Sequence, residues 1–102
     1  MVKHHYCGCR RLSESGIFIK YYLIIKNTSF EKDFVTSYGI SAKKTSHFRK
    51  GVLESASVLD LFTQKIKATR FINTIKRLSV TPCTLKDVAY DFLIDEHNVN
   101  YS

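Results

Sequence analysis

The hydrophobic pattern of this chain changes period once. Up to about residue 62 the apolar positions come in short runs rich in β-branched and aromatic residues; beyond it they recur every three or four residues. "IFIKYYLIIK" (Ile17 to Lys26) has the composition and length of a strand. "NTSFEKD" interrupts it with turn-forming residues. "FVTSYGISA" (Phe34 to Ala42) then resumes with period two, Phe34, Thr36, Tyr38 and Ile40 sharing one face. The two runs predict an antiparallel hairpin, and Gly39 inside the second one signals a bulge or the close approach of something packed above it. After the polar connection "KKTSHFRKG", the run "VLESASVLDL" (Val52 to Leu61) is ambiguous. Val58, Leu59 and Leu61 favour a third strand ending near Asp60.

From Thr63, a candidate N-cap, the spacing of Ala68, Phe71, Ile72, Ile75 and Leu78 makes one apolar face of a helix, with Lys65, Arg70, Lys76 and Arg77 opposite. "SVTPCT" breaks that helix and opens another: Thr81 is placed to cap, Pro82 suits the first turn, and Asp87 lies where the dipole favours a carboxylate. Leu85, Val88, Ala89 and Phe92 then repeat at helical spacing. A meander and two amphipathic helices bury their apolar faces by stacking as two layers. The expected fold is therefore α+β: a three-stranded antiparallel meander with two C-terminal helices packed on one face. It spans residues 16–96, between a flexible basic tail at 1–15 and a short tail at 97–102.

The block "TSYGI" (Thr36 to Ile40) and the spacing of "LDLF…VTPCTLKDVAYDFL" (Leu59 to Leu93) resemble a family of small proteins from Gram-positive, spore-forming anaerobes, the domain of unknown function 6514. The matching positions are Tyr21, Tyr22, Tyr38, Gly39, Ile40, Asp60, Val80, Thr81, Pro82, Asp87, Val88, Asp91 and Phe92. The resemblance covers roughly Tyr21 to Leu93 and implies a ββ(β)αα domain without a known activity. This chain departs from the pattern in its basic charge, where relatives tend to be acidic, and in its head, "HHYCGC" (His4 to Cys9).

Composition narrows the classes further. A chain of 102 residues with 44% hydrophobic positions, six tyrosines and seven phenylalanines supports one modest core. No apolar run approaches the roughly 20 residues that span a bilayer. The first apolar run is broken by Lys20, unlike a signal peptide. Three cysteines without regular spacing suit a reducing compartment, so a cytoplasmic location is expected. The net charge of +7 is uneven. Residues 1–50 hold ten Lys or Arg against three acids, whereas residues 81–102 hold Lys86 against Asp87, Asp91, Asp95 and Glu96. The basic part should attract acidic partners.

Candidate chemistry is sparse. His4, His5, Cys7 and Cys9 are metal-ligand types, but Cys7 and Cys9 are closer than a zinc knuckle requires and no second Cys/His pair completes a tetrahedral site. A Cys-x-Cys pair also suits copper(I). No metal or cofactor is assigned, and the head reads as a reactive-looking tail. Cys83, in the first turn of the last helix, has no nearby base to make it a nucleophile. Asp87, Asp91 and Asp95 form an acidic stripe expected to face solvent or to oppose Lys65, Arg70, Lys76 and Arg77. Phosphate-loop, nucleophile-elbow and metalloprotease motifs are absent, and an enzyme is not expected.

The expected function is that of a small regulator or inhibitor binding a larger, acidic protein through Arg49, Lys50, Lys65, Ile66, Arg70, Lys76 and Arg77. Ile66 would be the apolar centre of that contact. The alternative is DNA or RNA binding by the same basic side. Arg10, Arg11, Lys43, Lys44, Arg49, Lys50, Arg70, Lys76 and Arg77 would meet phosphates, and Tyr21, Tyr22, Phe48 or Tyr38 would stack on bases. No membrane contact or small-molecule substrate is indicated.

Overall fold

β-Branched and aromatic residues between Ile17 and Ser46 favour extended backbone strongly enough to carry two strands through the polar stretch that was expected to separate them. The computed structural model describes residues 2–12, 16–46, 48 and 51–100. Its strands are β1 (Val2–Leu12), β2 (Ile17–Phe30), β3 (Asp33–Ser46) and β4 (Val52–Phe62), followed by helices α1 (Lys65–Arg77) and α2 (Leu85–Asn100). β2 and β3 stay in register up to Phe30 opposite Asp33 and reverse through Glu31 and Lys32, with Glu31 at φ 55°. The class is α+β with an antiparallel sheet and two C-terminal helices, but the sheet has four strands, not three, in the order β1-β2-β3-β4.

The additional strand is the segment expected to be a mobile tail. β1 pairs along β2 from Val2 opposite Lys26 to Leu12 opposite Ile17, slipping between Tyr6 and Gly8. Its polar composition hides it from pattern reading: partner strand and helix hold it, not an apolar stripe. Gly8 takes φ +117° at the slip, a conformation that glycine adopts without a steric cost. There Lys76 Nζ of α1 donates to the Cys7 carbonyl at 3.0 Å, tying the edge strand to the helix. At the other end of the chain the helix continues to Asn100, through most of the expected C-terminal tail.

Successive residues of β2 point to opposite faces. Ile19, Tyr21 and Leu23 face the helices and pack with Ile40, Ala42, Phe62, Ala68, Phe71, Ile72, Ile75, Leu85 and Ala89 in one core. The Phe62, Phe71 and Phe92 rings meet at centroid distances of 5.0 to 6.0 Å. The helical spacing read from the sequence holds for Leu85, Val88, Ala89 and Phe92, all in or against this core. It fails for Leu78, which lies at the C-cap of α1 with 60% exposure.

That C-cap is a Schellman turn. Val80 N–H bonds the Ile75 carbonyl at 3.0 Å, Ser79 N–H bonds Lys76 at 3.1 Å, and Ser79 takes φ 53°. The Val80 carbonyl then accepts the buried Tyr21 hydroxyl at 2.8 Å, fastening the interhelix link to the sheet. The expected caps differ in detail. Gln64 precedes α1 without a side-chain bond, and Thr81 precedes a 3-10 turn at Pro82–Thr84 through which the chain enters α2.

Candidate interaction surface on the bare sheet face

Among the described residues no helix covers the other face of the sheet. The register places Phe18, Lys20, Tyr22, Ile24 and Lys26 of β2 on it, beside Arg11, Cys9, Tyr6 and His4 of β1 and Thr45, Lys43, Ser41, Gly39 and Ser37 of β3. Its two ends differ. Opposite Gly39, residues 59–61 of β4 leave the ladder, and the strand rejoins with Phe62 opposite Tyr38. A Cβ on Gly39 would collide with the Val58 carbonyl and stand 2.9 Å from Leu59 Cα, so the bulge passes directly over this residue. Such backbone approach is what the interior glycine permits. Asp60, at φ 54° within the bulge, accepts Ser37 Oγ at 2.6 Å and Lys26 Nζ at 3.4 Å. The Ser37 hydroxyl, followed in effect by Lys26, holds the Asp60 carboxyl below its ordinary pKa. Ile24 is only 1% exposed at this closed end.

The opposite end is open and cationic. Tyr6 and Tyr22 are direct cross-strand partners with rings 5.5 Å apart at 58°. Lys43 Nζ lies 5.2 Å from the centre of the Tyr22 ring, a cation–π contact. The Cys9 thiol, bonded to the Tyr6 hydroxyl, raises the pKa of that phenol, with partial burial adding to the effect. Lys20 sits directly opposite Lys43. Directly opposed like charges destabilise a sheet, and among the described residues no carboxylate pairs with either. Beside them a hollow of about 520 Å³ is lined by Cys9, Phe18, Lys20, Thr45, Ser46, Gly51 and Val52.

The residues expected to stack are sorted by this geometry. Tyr22 stands on the bare face. Tyr21 is fully buried on the other, where desolvation pushes its pKa up to about 12. Tyr38 packs against the core, and Phe48 is 84% exposed beyond the end of β3. Tyr6 was not anticipated, because a segment read as a tail has no faces. Had β1 been read as a strand, alternation would have placed Tyr6 opposite Tyr22.

Alternation also dismantles the "HHYCGC" cluster. His4 and Cys9 pair with bare-face residues, whereas His5 pairs with core-facing Leu23 and Cys7 packs against the core. Among the described residues no group of three or more His, Cys, Asp or Glu side chains converges to hold a metal ion. His5 and Cys7 instead line a groove of about 330 Å³ between β1 and α1, with Leu23, Ile25, Lys65, Thr69, Ile72 and Asn73.

The anticipated protein-binding residues are dispersed. Ile66 is 61% exposed, and helical spacing puts Arg70 and Arg77 along its side of α1, both exposed. Lys65 flanks the groove, and Lys76 is half-buried, engaged with the Cys7 carbonyl. Arg49 and Lys50 lie outside the described residues. The opposed-charge arrangement of the two helices does not form: among the described residues no ion pair joins Asp87 or Asp91 to Lys65, Arg70, Lys76 or Arg77, and Asp95 falls where side chains are not described. Cys83 is exposed, 3.2 Å from the Thr81 hydroxyl.

Among the described residues no helix is long and apolar enough to cross a membrane. No curated protein and no solved structure matches the chain. A family of unknown function, DUF6514, matches residues 4–95, so the "HHYCGC" head taken to lie outside the family pattern falls within it. With a match over that length, the chain belongs to the DUF6514 family.

Proposed function

We propose that this protein is a small, non-enzymatic binding module of the cytoplasm that holds single-stranded nucleic acid against the bare face of its sheet. One observation carries the reading: the Tyr6–Tyr22 ring pair is flanked on one side by Lys43 and Lys20, two directly opposed cations that no carboxylate among the described residues pairs with. A backbone phosphate relieves their repulsion, and a base gains a ring to stack on, a combination typical of single-strand binders. Reduced Cys7, Cys9 and Cys83 suit the proposed compartment.

Fluorescence anisotropy with a labelled oligonucleotide tests the proposal. If Arg11, Lys20 and Lys43 each meet one phosphate, log K falls against log salt with a slope of about −2, or roughly twentyfold between 50 and 200 mM. Tyr22→Ala should weaken binding by about 1–3 kcal/mol. No binding at low salt defeats the proposal.

A second reading keeps Ile66 as its centre. Its 61% exposure among Lys65 and Arg70 suits a regulator or inhibitor that docks α1 on an acidic face of a larger protein. In that case Ile66→Asp abolishes capture of the partner, Tyr22→Ala leaves it intact, and added salt has less effect than on a nucleic-acid complex.

A further inference from the structure

The bare face continues past the tyrosines toward the hollow. Along β2, Phe18 lies four residues from Tyr22 on the same side, a separation of about 13 Å at strand rise. Lys20 stands between them, opposite both Cys9 and Lys43. The hollow against Phe18 measures about 520 Å³, and Thr45, the hydroxyl-bearing cross-strand partner of Phe18, lines it. An apolar wall with hydroxyl donors and acceptors is what an unstacked base requires: a ring to lie against and partners for its edge. The tyrosine pair instead offers a stacking ring with Lys43 beside it.

Resting on the reading proposed above, we infer that the face holds two bases of one strand at two unlike places. One base stacks on Tyr22 beside Tyr6, the other enters the hollow against Phe18, and the phosphates between them lie over Lys20 and Lys43. The separation sets the ligand's size. Thirteen ångströms is about four steps of a stacked strand at 3.4 Å each, so a dinucleotide reaches one place and a hexanucleotide reaches both.

The test compares oligothymidylates of two and six nucleotides, with binding followed by anisotropy competition at low salt and folding by thermal melting. The wild-type protein should bind the hexamer at least tenfold more tightly than the dimer. Phe18→Leu keeps an apolar side chain and removes the ring face; it should erase most of that length advantage while the melt stays close to wild type. Thr45→Val, which leaves Phe18 untouched, should weaken the hexamer and leave the dimer unchanged. A hexamer that binds through Tyr22 but is indifferent to both Phe18→Leu and Thr45→Val overturns the two-place inference and leaves single-strand binding standing. Failure of the wild-type protein to bind either oligonucleotide overturns both.

Discussion

Tyr21 and Tyr22 are neighbours in sequence with opposite roles. Tyr21 faces the helices, loses all contact with solvent and gives its hydroxyl to the Val80 carbonyl, so its work is done inside the fold. Tyr22 faces away, against Tyr6 and beneath Lys43, with no helix above it among the described residues. The same contrast runs through the whole sheet. One face is packed, fastened to the interhelix turn and dominated by carbon; the other keeps rings and, at Lys20 and Lys43, ammonium groups that no carboxylate among the described residues pairs with. Removing charge from the bare face should make the protein more stable and less able to bind, whereas damage to the covered face should reduce stability first.

The largest effect expected is on the covered face. Phe71 is fully buried between the rings of Phe62 and Phe92, and Phe71→Ala should destabilise by about 3–5 kcal/mol in urea unfolding. Next comes Gly39, whose missing side chain lets the β4 bulge close one end of the bare face. Gly39→Ala drives a methyl group into the Val58 carbonyl and should cost about 3 kcal/mol, near the top of the range for overpacking. If Gly39→Ala melts like wild type, the bulge does not lie over that residue.

The tyrosine pair sharpens the contrast. Tyr21→Phe removes a buried hydroxyl bond and should lower stability by about 1–2 kcal/mol without changing oligonucleotide affinity; Tyr22→Phe should leave stability nearly unchanged. Tyr21 also predicts a pH response. Its folded pKa, pushed up to about 12 by burial, lies above the usual value near 10. The folded protein therefore holds this proton more tightly, and the contribution to stability is complete below pH 10 and disappears as pH rises toward 12. Absorbance titration of Tyr21→Phe should lose the late phenol and keep the earlier ones. The smallest effect is the most telling in sign. Lys20→Ala removes a like-charge contact with Lys43 and should stabilise by a few tenths of a kcal/mol, while weakening nucleic-acid binding, a trade of function against stability.

The covered face was legible in the sequence because burial leaves a periodic trace. Phe71, Ile72, Ile75, Leu85 and Ala89 announce their helices through spacing, and all are buried in the structure. Gly39 announced a close approach for the same reason: an interior glycine in a strand needs an explanation. The bare face left no comparable trace. β1 is dominated by Lys, His, Cys and Arg residues, and its place in the sheet depends on β2 and on Lys76 reaching the Cys7 carbonyl, long-range contacts that no local pattern encodes. Once β1 was missed, Tyr6 had no face and "HHYCGC" looked like a cluster. Alternation along a strand separates those same side chains. The turn at Glu31 and Lys32 falls inside the predicted interruption, and only its tightness was hidden: the polar residues on either side of it are compatible with strand as well as with loop.

Mapping backbone amide shifts while adding a single-stranded hexanucleotide tests the central claim most directly. The account predicts that the largest changes fall on Tyr6, Phe18 to Tyr22 and Lys43 to Thr45, with α1 undisturbed around Ile66. Changes centred on Ile66 and Arg70, or none anywhere at low salt, would contradict it.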